Sequence, residues 1–198
     1  MGFLTPGRGT VQGAGDVPRK VALYDGEVVL RAPEGYCIDR PSMRQDGRAG
    51  FVLVASCETL SGLRGQAVVE PVLITVSVLP EVPANGRPTP AEMARDLAPA
   101  EVLTSLDAGG LTLVRLSAGG DRILPGGDPR HWRGSMVVNG YLIGLALYAR
   151  EGSPMAGREG RDLLTGMARR IRRASPDRPA ALATRAGTPG PWPVVAGM

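Results

Sequence analysis

Cys37, Cys57 and His131 are the side chains best suited to chemistry in this chain, which holds two cysteines and one histidine. A thiol beside an imidazole is what a thiol hydrolase needs: the base takes the proton and the sulfur attacks a carbonyl. Here Cys37 or Cys57 would be the nucleophile and His131 the base. The same three residues with one carboxylate could surround zinc, but no Cys-x-x-Cys turn is present to supply two ligands from one place. A disulfide between Cys37 and Cys57 is a third option, and closing that loop would restrain the unfolded chain by about 3 kcal/mol. The fourth is a pair of free buried thiols acting as small apolar side chains.

Position argues among these. Cys37 lies in "APEGYCIDRP", where an apolar run gives way to turn residues, and Cys57 closes the run "FVLVASC". Simple antiparallel pairing of adjacent strands puts Cys57 about 20 Å along the ribbon from the end near Cys37. Free buried thiols are therefore the first expectation and the disulfide the second. His131, in "DPRHWRG", is expected in a loop at the sheet edge, at the surface or hydrogen-bonded. Asp121 and Asp128 flank "RILPGG" and could hold a cation, although aspartates in such loops usually form turns.

Other chemistries are excluded by what is missing. Lys20 is the only lysine and follows Arg19, so there is no phosphate loop and no Ser-x-x-Lys motif. "GRGTVQG" has the wrong spacing for a dinucleotide fingerprint and follows no strand pattern. There is no Gly-x-Ser-x-Gly elbow. No cofactor and no metal are expected.

The elements that would position these residues are short. "VALYDGEVVLRA" contains two β-rich runs around Asp25-Gly26 and predicts a hairpin. "PSMRQDGRAG" is expected to give one helical turn before the strand "FVLVASC". In "VLITVSVL", Val72, Ile74, Val76 and Val78 alternate with Leu73, Thr75, Ser77 and Leu79, the period of a strand with one aliphatic face. "TPAEMARDLAP" predicts a two-turn helix with Thr89 as cap, Pro90 at the first position and Glu92 completing the capping box, laying Met93 and Leu97 on a sheet face. Two strand pairs follow, turning at Asp107 to Gly110 and at Asn139-Gly140. From about Arg158 to Arg173 the spacing predicts an amphipathic helix with Leu163, Leu164, Met167 and Ile171 on one arc. Arg169, Arg170, Arg172 and Arg173 lie outside that arc and form a possible basic face, which also complements the negative end of the helix dipole.

The chain has 198 residues, 43% of them apolar, enough for one domain with a real core. Residues 1–20 read as a flexible arm, 21–174 as a single α+β domain, and 175–198 as a disordered Pro/Ala/Gly-rich tail. The positive charge behind the formal +4 is nearly all arginine, which a GC-rich coding bias alone favours, and no charged block is long, so nucleic acid is not the expected partner. The longest apolar runs fall short of the roughly 18 residues of a membrane helix. As written, the chain has no export signal and is expected in the cytoplasm; a misassigned start codon would make it periplasmic.

The order of elements, above all "GSMVVNGYLIGLALYAREG" followed by "LLTGMARRIRRA", resembles the PsbP/Mog-like fold over about Val21 to Ala174. The resemblance implies an antiparallel sheet between helices and an accessory or binding role without catalysis; no binding residue is carried over. The expectation is thus an α+β sandwich, with a sheet of six or seven antiparallel strands covered by helices. Its function would be binding or assembly with an unknown protein partner. A Cys/His thiol hydrolase and a basic-face binder of nucleic acid or acidic lipid are the alternatives.

Overall fold

The computed structural model describes residues 17–63, 67–80 and 85–177. The expected arm, residues 1–16, and the expected tail from 178 lie outside the described residues. Ordered backbone begins earlier than Val21: the Pro18 carbonyl accepts from Ile38 N at 2.7 Å, and the first strand starts at Lys20.

That strand, β1 (Lys20–Leu23), pairs antiparallel with β2 (Val28–Arg31) across a tight 3-10 turn at Tyr24–Gly26. The two form a small sheet of their own. The main sheet has seven antiparallel strands: β3 (Tyr36–Gln45), β4 (Gly50–Ser56), β5 (Val72–Leu79), β6 (Val102–Ala108), β7 (Leu111–Leu116), β8 (His131–Val138) and β9 (Tyr141–Ala149). Their order is β3-β4-β5-β9-β8-β7-β6. The expected α+β class with an antiparallel sheet is what the chain adopts.

Residues 41–50 form no helical turn. Instead β3 runs on to Gln45, with a register shift between Asp39 and Arg44 around Pro41, which has no N–H to give the ladder. Ser42 fills the gap: its Oγ donates to Asp39 O at 2.7 Å and accepts from Leu53 N at 3.1 Å. Asp46 then closes the turn, its Oδ1 accepting from the backbone N of Arg48 and Ala49. The turn at Asn139-Gly140 has φ of 53° and 80°, the left-handed pair that a two-residue hairpin demands.

Among the described residues four helices complete the fold: α1 (Cys57–Ser61), α2 (Pro90–Asp96), α3 (Gly120–Ile123) and α4 (Arg158–Ala174). The capping box on α2 is present in both directions between Thr89 and Glu92. The small helix α3 lies in a segment that reads as plain loop.

The two faces of the sheet have different covers. On the first, Val72, Ile74, Val76 and Val78 meet Leu145, Leu147, Trp132 and Met136, and α4 closes over them with Leu164, Met167 and Ile171, all buried. The β1–β2 hairpin completes that core. Ser175, just past α4, ties the pieces together: its Oγ accepts from Val29 N at 3.0 Å and donates to Ile171 O at 2.9 Å. Asn139 adds a second tie, its Nδ2 donating to the carbonyls of Glu27 and Pro176, each at 2.7 Å. On the second face α2 packs Met93 against Val114 and Leu116, with Leu97 and Val102 at the margin. This cover is smaller than the sheet and leaves a groove beside it.

Candidate functional site

Cys37 and Cys57 are bonded to each other, with S–S 2.04 Å and Cα–Cα 4.8 Å. The expectation of free thiols is therefore corrected, and the reason lies in β3. Because the chain stays extended to Gln45 and turns at residues 46–49, Cys37 and Cys57 both fall at the open end of the β3–β4 hairpin. Cys37 is registered with Ala55, two residues before Cys57. The strand paired with "FVLVAS" begins at Tyr36 and contains Cys37 instead of preceding it, so the supposed 20 Å separation disappears.

His131 is not in a loop; it opens β8 and is buried. Strand order places β8 four steps from β3, roughly 19 Å at ordinary strand spacing. The structure does not bring imidazole and sulfur together. Nor does any group of three or more His, Cys, Asp and Glu among the described residues have a geometry that could hold a metal ion.

His131 instead belongs to an aromatic and cationic stack on the second face. Its ring stacks on Tyr148 of the adjacent strand β9, with centroids 5.2 Å apart. The Arg133 guanidinium carbon lies 5.7 Å from the centre of the Tyr148 ring. His131 Nδ1 meets the Pro129 carbonyl at 3.3 Å, so that nitrogen carries the proton, and Nε2 accepts from Arg133 Nε at 3.4 Å. Burial first, and the neighbouring Arg133 charge second, push the imidazole pKa down to about 4, so at neutral pH it is an uncharged acceptor. Burial raises the Tyr148 phenol above its ordinary value.

Arg133 connects this stack to the groove, a cavity of about 210 Å³. Its floor is the second face of β5 and β9: Thr75, Ser77, Leu79 and Gly144. Met93, Asp96 and Leu97 of α2 form one wall, and Phe51 of β4 another. The recess exists because Ser77 is small and its registered partner, Gly144, has no side chain. From Gly144 the same row continues to Ser135, whose hydroxyl is fully buried and has no hydrogen-bond partner among the described residues. Among the described residues, Arg133 and Asp96 are the charged members of the lining, in otherwise mostly apolar walls.

Comparison with protein-family models, with curated proteins and with solved structures finds no match. The site therefore rests on its own geometry.

The remaining sequence candidates lie elsewhere. Asp128 is buried and committed to Arg130, which donates Nε to Oδ1 at 2.9 Å and Nη2 to Oδ2 at 2.8 Å. This bidentate hydrogen-bonded partner holds its carboxyl below the usual range. Asp121 is exposed on α3. Arg169, Arg170, Arg172 and Arg173 are exposed on α4, as the helical spacing predicts, but Arg172 is used structurally: it donates to the carbonyls of Gly109 and Gly110 in the β6–β7 turn at 2.8 and 3.2 Å. The groove residues Ser77, Arg133 and Gly144 were not singled out from the sequence. The available signals were a glycine inside the apolar strand "YLIGLALYA" and hydroxyls on the solvent-side register of "VLITVSVL". Each is a weak signal until β5, β8 and β9 are known to be neighbours.

Proposed function

We propose that this is a binding protein without chemistry of its own, and that the groove between α2 and the second face of the sheet is where it binds. The groove itself carries the reading: a concave, largely apolar recess with a few convergent polar groups is the usual form of a ligand site. An accessory role in the manner of the PsbP/Mog-like proteins remains part of this proposal, supported by a sheet with α4 on one face and α2 on the other.

The disulfide supports a site of action in an oxidising compartment, where such bonds persist. No helix among the described residues is long and apolar enough to cross a membrane.

Amide chemical-shift mapping with a panel of fragments of mixed charge tests the reading. Shifts clustered at Ser77, Leu97, Arg133 and Gly144 are expected. A panel that moves nothing there, or moves only the α4 arginines, would sink it.

A further inference from the structure

We propose that the groove takes a small amphipathic monocarboxylate, with its carboxylate on Arg133 and its apolar tail between Phe51, Leu79, Met93 and Leu97. The proposal rests on the reading of the groove as the binding site and adds the chemistry of its occupant.

Charge is the first argument. Among the described residues, Arg133 is the one cation in the lining. Its Nε is spent on His131, and its guanidinium carbon lies over the Tyr148 ring. Among the described residues no carboxylate lies within ion-pair distance of it; the ion pairs found join Arg87 to Asp107, Arg130 to Asp128, and Arg158 and Arg161 to Asp162. The terminal nitrogens therefore retain donors in the planar fork that matches a carboxylate. His131, neutral, positions the guanidinium without adding positive charge beside it.

The floor is the second argument. Ser77 and Gly144 face each other across β5 and β9 and leave the recess open beside Arg133.

Size and rim restrict the tail. An apolar cavity of about 150 Å³ accepts benzene, so a groove of this volume suits an acid of about eight carbons. Asp96, exposed on the α2 wall, disfavours a second negative charge. Monocarboxylates are selected over diacids.

The test is isothermal titration of the full, disulfide-bonded chain with octanoate, octanol, octylammonium, suberate and acetate. The expected result is one octanoate per chain, with octylammonium and suberate at least about tenfold weaker and acetate undetected. Arg133→Gln should weaken octanoate about tenfold and leave octanol unchanged. Ser77→Leu should abolish octanoate binding by filling the floor while leaving Arg133 in place, so the proposal remains testable if the Arg133 variant does not fold.

Octanol or octylammonium binding as tightly as octanoate would overturn the carboxylate while leaving the groove as a binding site. No binding by any ligand in the series would overturn this proposal, and the fragment mapping would then decide separately whether the groove binds anything. Dimerisation lost in Ser77→Leu, without octanoate binding, would assign the groove to a second copy of the chain and overturn the proposal as well.

Discussion

His131 shows how one side chain can serve a site without entering it. With its pKa near 4 in the fold and near 6.5 in the unfolded chain, the unfolded state binds the extra proton between those values. Stability conferred by keeping the ring neutral is complete above pH 6.5 and is lost as the pH falls toward 4, by roughly 3 kcal/mol in all. Urea unfolding across pH 7 to 4 should show that slope, and His131→Gln should flatten it. Asp128 acts in a separate window: its lowered pKa confers stability that fades only below about 3.8, so a loss confined to more acidic solution belongs to that carboxylate. The importance of His131 was legible from its being the sole histidine, but its partners were not. Arg133 lies two residues along the same strand and shares a face with it only once β8 is known to be a strand, and Tyr148 reaches it from β9, a cross-strand neighbour that a sequence does not display.

At the scale of elements, local rules specified what local forces control. Thr89, Pro90 and Glu92 describe the start of α2 completely, because capping acts within four residues. The alternation in β5 and the Asn139-Gly140 turn are equally local. Residues 41–50 read wrongly because Pro41 and Gly47 suggest punctuation, whereas the bulge at Pro41 is held by Ser42 reaching across to Leu53 on another strand. Helix α4 adds a testable detail at Gly160, buried in its first turns, where an added Cβ would run into the Met155 carbonyl oxygen and approach Leu147. Gly160→Ala should therefore destabilise the protein by about 1–3 kcal/mol in thermal or chemical unfolding, although alanine is the better helix former. An unchanged midpoint would mean that the turn before α4 yields easily.

For the whole molecule, the groove is a product of assembly. β5 and β9 supply its floor, β8 its cation and α2 its wall, and α2 is delivered by the long connection that carries the chain from β5, inside the sheet, to the edge strand β6. A reader of the sequence can see Met93 and Leu97 placed for a sheet face, but not which strands lie beneath them. The disulfide acts at the same scale. Closing the loop from Cys37 to Cys57 limits the freedom of the unfolded chain, so reduction or Cys37→Ser with Cys57→Ser should lower unfolding free energy by about 3 kcal/mol and leave the sheet's circular dichroism unchanged at room temperature.

That bond also shortens the chain as a tether. Pulled end to end, the oxidised protein cannot pay out the segment bridged by the sulfurs. Its fully stretched contour should fall short of the reduced protein's by about 65 Å, at roughly 3.5 Å for each of the 20 residue steps less the 4.8 Å gap the bond spans. In a force trace, the segment between the two sulfurs would carry no tension in the oxidised molecule even after every other strand had been drawn out.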